Sequence, residues 1–298
     1  MKNATQTQID EEMGYFFGFP KGTYSEVLRQ LGRTQVNSCR TSSIPLAEFW
    51  QPANLATIQS LFAPYLPGFD PAAALKFFEF PTEAVLEDRR IGCPSMTDLM
   101  VLGNGFQMAV EGKFTEYVEY NDQTIRDWFA KQLAKIDKSW TPASRERYLH
   151  NVLRAWFGII REANCTGLVD DDSFFHDCMD MSYQFLHRTA SACHKAGVTS
   201  GTMPVLAYQI FFDAYTPEHI QKKEEFKADL RRWAAALKLQ NMKFLILSVP
   251  ITNAADVEHR FKDAGSAIFD MLREESVYTF DFGGIDIETI VAVAKEGR

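Results

Sequence analysis

The stretch "PSMTDLMVLGNGFQMAVEGKFTE" (94–116) holds three residues with the types and spacing to do chemistry: Asp98, Glu111 and Lys113. Side chains alternate faces along a strand. Glu111 and Lys113 therefore share one face, and Val110 and Gly112 point the other way. "TDLMVL" and "FQMAVEGKF" are short apolar segments, and the "GNG" between them is the punctuation of a tight hairpin. A turn centred on about residue 104 or 105 sets Asp98 opposite Glu111. Two adjacent carboxylates in a low-dielectric site repel, so one must take a proton or a cation must neutralise both. A hard divalent ion such as Mg²⁺ (or Mn²⁺) suits oxygen donors and is commonly shared between carboxylates and a phosphate. Lys113 beside it can donate to a phosphate oxygen or orient a water. That is equipment for metal-assisted phosphodiester hydrolysis. The competing reading is a surface hairpin with a charged edge. Against it, "LMVL" and "MAV" are almost continuously apolar, as in a strand buried on both faces.

The elements that must position these residues follow from periodicity and punctuation. Short helices are expected over 23–33, 53–63 and 71–78, the last with Asp70 as N-cap and Pro71 in its first turn. "FEFPTEAVLED" is ambiguous. After the hairpin, Ile125, Trp128, Phe129, Leu133 and Ile136 recur at helical spacing, which predicts a helix over 122–138. Another is expected over 142–163, and a third from Ser173 as N-cap to Gly197 as terminator. "MPVLAYQIFFDAY" and "KFLILSV" are buried strands, with helices over 218–239 and 255–275. "FDFGG" is a strand end and turn. The order implies a single α/β domain, a mixed sheet flanked by helices, with a helical insertion at about 122–170.

The "SMTD…AVEGK" pattern resembles the PD-(D/E)XK nuclease superfamily, the restriction-endonuclease-like fold. Asp98 matches the first acid of its signature, Glu111 the second and Lys113 the lysine. Pro94 lies four residues before Asp98, so the Pro-Asp pair itself is absent. The resemblance implies a restriction-endonuclease-like mixed sheet and a Mg²⁺-dependent DNA nuclease. In it Asp98 and Glu111 hold the metal and Lys113 assists the attacking water. It also implies a glutamine on a later helix near the site, matched by Gln184, and a helix-borne acid among Glu79, Glu83 and Glu87. Many members act as dimers, so a homodimer is an implied arrangement. The alternative within the same resemblance is a non-catalytic binding or regulatory module. The core order of helix, three strands, helix and strand fits residues 71–213.

Bulk properties bound these readings. The 298 residues are 46% hydrophobic with a net charge of −8, which argues against a general nucleic-acid binder. Charge is segregated, however. Residues 126–161 hold eight Arg or Lys against three acids, and 162–182 hold six acids and no Arg or Lys. Lys131, Lys135 and Lys138 share a helix face, either solvated or phosphate-binding. Glu116 is either a group supporting the site or a surface charge. Five widely spaced cysteines imply free thiols rather than a disulfide framework. Cys165, His176, Cys178, His187, Cys193 and His194 lack zinc-site spacing, and Cys178 matches the helical spacing of core residues. The longest apolar run, "MKFLILSVPI", is about half a membrane span. The N-terminus lacks the apolar stretch of a signal peptide. The expectation is a cytoplasmic protein with no membrane partner.

Overall fold

The computed structural model describes residues 14–17, 22–34, 41–103, 105–114, 116–117, 123–136, 139–194, 201–261 and 267–290. Strand β1 (Tyr15–Phe17) is followed by helices α1 (Tyr24–Thr34), α2 (Ser43–Phe49) and α3 (Leu55–Phe62). Strand β2 (Leu75–Thr82), a small hairpin of β3 (Val85–Leu86) and β4 (Arg89–Arg90), and strands β5 (Ser95–Gly103) and β6 (Phe106–Lys113) come next. Four helices intervene: α4 (Ile125–Lys135), α5 (Pro142–Glu162), α6 (Asp171–Asp177) and α7 (Tyr183–Cys193). Then come β7 (Met203–Asp213), α8 (Pro217–Ala236), β8 (Lys243–Ile251), α9 (Ala254–Phe261), α10 (Ala267–Met271) and β9 (Asp286–Ile290).

Seven strands form one mixed sheet in the order β1-β2-β5-β6-β7-β8-β9. β2, β5 and β6 form an antiparallel meander, and β6, β7 and β8 run parallel. Parallel neighbours need a crossover connection. Helices α4–α7 supply it between β6 and β7, and α8 between β7 and β8. Alternation divides the strand residues between two cores. Leu99, Val101, Met108, Val110 and Ala207 face helices α1–α3. Met100, Ala109, Leu206, Tyr208 and Ile246 face α5, α7 and α8, where they meet Trp156, Phe185 and Trp233. Covering both faces is what a parallel sheet requires. Among the described residues no helix is long and apolar enough to cross a membrane.

Three elements differ from expectation. The helix expected over 71–78 is a turn followed by β2. Asp70 does cap, accepting from Ala72 N at 3.0 Å and Ala73 N at 3.2 Å. The aromatic run "KFFEF" then pairs with β5 instead of coiling. The single helix expected from Ser173 is two. Asp170 caps the first, accepting from Ser173 N at 2.8 Å, and Ser182 restarts the second, accepting from Gln184 N at 3.1 Å. Gly197 lies outside the described residues. The helix expected over 255–275 is the pair α9 and α10.

Candidate active site

The hairpin register is the one the turn implies. Leu99 pairs with Val110, Met100 with Ala109 and Gly103 with Phe106. The next rung sets Asp98 opposite Glu111. Backbone pairing gives way there to a side-chain contact, with Asp98 Oδ2 accepting from Gly112 N at 2.9 Å. On the other side of β5, Phe78 pairs with Leu99 and Phe80 with Thr97, which sets Glu79 opposite Asp98. Glu79, Asp98 and Glu111 thus form one acidic row across three adjacent strands. Glu79 has a φ of +52°, a strained backbone for a residue with a Cβ.

Glu111 is 2% exposed and is the hub of the cluster. Its Oε1 accepts from Lys113 Nζ at 3.0 Å and from Gln184 Nε2 at 3.1 Å. Its Oε2 forms an ion pair with Arg188 Nε at 2.5 Å. Arg188 Nη2 lies 4.0 Å from Asp98 Oδ1. The same guanidinium donates to Ser95 Oγ at 2.9 Å and to the Met96 carbonyl. Gln184 and Arg188 are one turn apart on α7, so one helix face delivers both.

The electrostatics follow from burial and from the crowding of acids. Burial, then Glu111, push the Asp98 carboxyl up to about 8 against the opposing pull of Arg188 and Lys113. Burial likewise raises Glu79. Burial pulls Lys113 down, but Glu111 and Asp98 together hold it above its ordinary value. His187 is driven well below its usual range by burial and by Arg188 and Lys113, so its ring is neutral.

Carboxylate oxygens are the kind of donor a hard divalent ion takes. Asp98 and Glu111 offer carboxylate oxygens from opposed positions, and Glu111 Oε2 is buried against the Arg188 guanidinium. In the arrangement seen, Arg188 neutralises these oxygens. Among the described residues no three Asp, Glu, His or Cys side chains form a ready ligand group.

The remaining sequence candidates fall into place around this cluster. None of the three acids expected on a helix is there. Glu79 lies on β2, Glu83 just beyond it in an ion pair with Arg90 at 2.9 Å, and Glu87 in the β3–β4 turn. Glu87 and Asp88 both have positive φ, as a two-residue hairpin turn demands. Glu116 serves the other face of the sheet. It accepts from Ser42 N and Ser42 Oγ, both at 3.1 Å, at the start of α2, and from Phe114 N at 2.7 Å. Lys131 and Lys135 are exposed on α4, and Lys138 lies outside the described residues. The basic and acidic segments partly neutralise each other in space. Arg126 pairs with Asp180 at 2.8 Å, and Arg154 and Arg161 pair with Asp171 at 3.2 and 3.3 Å. Cys178 is buried in the core.

Sequence reasoning misses Arg188 and Ser95. Arg188 carries a usable signal, since it follows Gln184 by four residues. Ser95 shows none, because its role comes from the α7 packing. No match was found among curated proteins or among solved structures. A family model described as a domain of unknown function, DUF6946, matches residues 21–254, well over half of the chain, and the chain belongs to that family.

Proposed function

We propose that this protein is a Mg²⁺-dependent nuclease of restriction-endonuclease-like type, hydrolysing DNA phosphodiester bonds at the Asp98–Glu111–Lys113 cluster. The observation that carries the reading is the convergence of two opposed carboxylates, a lysine and a glutamine on one face of a buried hairpin. The order of elements agrees with it: helix α3, the β2-β5-β6 meander, helix α7, and β7 parallel to β6.

Asp98 and Glu111 would hold the ion, which when bound acts as a Lewis acid and lowers the pKa of its water. The chain's own groups do the rest. Gly112 N fixes Asp98, and Gln184 fixes Glu111 Oε1, so both carboxylates are pre-oriented. Lys113 presents an ammonium, a donor for a phosphate oxygen or an attacking water. Arg188 moves its charge from the carboxylates to the substrate phosphate, a planar bidentate match. Incubation of supercoiled DNA with Mg²⁺ tests this. Nicking or linearisation is expected, lost in Asp98→Asn and in Glu111→Gln. Cleavage surviving both substitutions refutes the assignment.

A second reading is a non-catalytic binding or regulatory module on the same fold. The Arg188–Glu111 pair favours it, because the guanidinium together with the Lys113 ammonium neutralises the buried acid. The two readings part on metal affinity.

A further inference from the structure

Beside the acidic row lies a cavity of about 380 Å³. Its walls are aromatic: Trp128 from α4, Tyr148 and Trp156 from α5, and Tyr183 from α7. Trp128 and Tyr183 stack face to face, with centroids 4.2 Å apart and planes at 7°. Where the cavity meets the candidate active site it is polar, lined by Ser95, His187 and Arg188. Arg188 is therefore shared. One side chain touches Glu111 and also lines the aromatic cavity.

The hydrogen bonds set the character of this polar end. Ser95 Oγ accepts from Arg188 Nη1 at 2.9 Å and lies 2.8 Å from His187 Nδ1. The hydroxyl proton is satisfied when it is donated to Nδ1, which puts the ring proton on Nε2. The neutral imidazole is then a donor, in a cavity also lined by Gln132, whose amide both donates and accepts. A flat, stackable ligand with edge donors and acceptors matches such a site. The volume lies at the lower end of the range for small-molecule pockets. It suits one nucleobase with its sugar better than an extended ligand. Lys131 and Arg147 are exposed on the two helices that form the walls, where they can meet the flanking phosphates.

We infer that this cavity receives one unstacked nucleobase of the DNA strand whose phosphodiester lies at Asp98 and Glu111. The inference rests on the nuclease reading and adds a substrate class: a single-stranded or locally opened strand, read by stacking. It also gives α4 and α5 a purpose, since the walls they carry come from the segment between the hairpin and α7. Base–aromatic stacking changes affinity by roughly 10–100-fold per base on truncation to alanine.

The test compares oligonucleotides in Mg²⁺, each carrying a single abasic position, for the wild-type protein and for Trp128→Ala and Trp128→Phe. With the wild type, an abasic site at one position near the cut raises KM roughly 10–100-fold, while others leave it unchanged. Trp128→Ala raises KM on intact DNA by a similar factor and erases that position dependence, and Trp128→Phe restores it. Cleavage without any position dependence overturns the inference and leaves the nuclease reading standing. The abasic series does not depend on any variant folding. Absence of both binding and cleavage of every oligonucleotide overturns the nuclease reading and this inference together.

Discussion

Replacing Arg188 with methionine separates its two roles, as counterion for the acids and as partner of the substrate. Methionine keeps much of the packing volume and removes the charge. Glu111 then stays 2% exposed with Lys113 as its nearest cation, 3.0 Å away. Asp98 loses the guanidinium 4.0 Å from its Oδ1, and Ser95 and the Met96 carbonyl lose a donor. Removing one partner of a buried ion pair destabilises by about 3–5 kcal/mol, because the surviving charge is left uncompensated. A divalent ion held by the same oxygens returns part of this. A ligand that binds only the folded state stabilises by about 2.7 kcal/mol at a hundred times its Kd. Urea denaturation with EDTA and with saturating Mn²⁺ reads both quantities. Arg188→Met is expected to be destabilised by about 3–5 kcal/mol in EDTA. Mn²⁺ should stabilise the variant more than the wild type, which has to displace its own guanidinium. Equal Mn²⁺ stabilisation of both proteins would refute the idea that Arg188 and the ion compete for the same oxygens.

Other predictions test the scaffold and the chemistry. Lys113→Met folds and binds Mn²⁺ but loses DNA cleavage, and unchanged cleavage in a gel assay rules out a role for its ammonium. Gly112→Ala is destabilised by roughly 1–3 kcal/mol, since the added Cβ stands 3.0 Å from Ser42 Cβ and 3.6 Å from Asp98 Oδ2. Thermal melting detects this, and wild-type stability would show that α2 yields freely. Glu48 is 1% exposed, and burial raises it to about 7, although its Oε2 accepts from Tyr278 N at 2.7 Å. The folded state therefore binds this proton more tightly than the unfolded state. The contribution of Glu48 to stability falls as pH rises from 4.5 to about 7 and then stays level, a loss on the order of 3 kcal/mol. Glu48→Gln removes that part of the stability difference between pH 5 and pH 8 in urea titrations, with Asp98 supplying a fall of its own, and a difference that the variant leaves unchanged places the proton elsewhere.

The hairpin is legible in the sequence because each of its signals is local. The Gly-Asn-Gly turn fixes the register, and alternation fixes which side chains share a face, so the residues alone set Asp98 opposite Glu111. The third acid of the row is visible only as a choice among Glu79, Glu83 and Glu87. Its position depends on β2 being a strand, and the Asp70-Pro71 pair imitates a helix start so well that it hides this. The pairing of β2 with β5 overrides that local signal. Helix α7 is visible in the periodicity, but not its true beginning, because Ser182 caps a helix in the middle of an apolar periodic run. Arg188 lies within reach of the same helical spacing that singles out Gln184. What cannot be read is that a guanidinium from α7 reaches Glu111 past Ser95, since that depends on how closely the helix packs on the sheet. The aromatic cavity is likewise a product of packing, assembled from α4, α5 and α7.

Calorimetric titration of Mn²⁺ into the metal-free protein tests the central claim most directly, because it needs no substrate. One saturable site per chain is expected, lost in Asp98→Asn and in Glu111→Gln while both variants keep the wild-type circular dichroism spectrum. Absence of Mn²⁺ binding by the wild type, or binding that survives both substitutions, would contradict it.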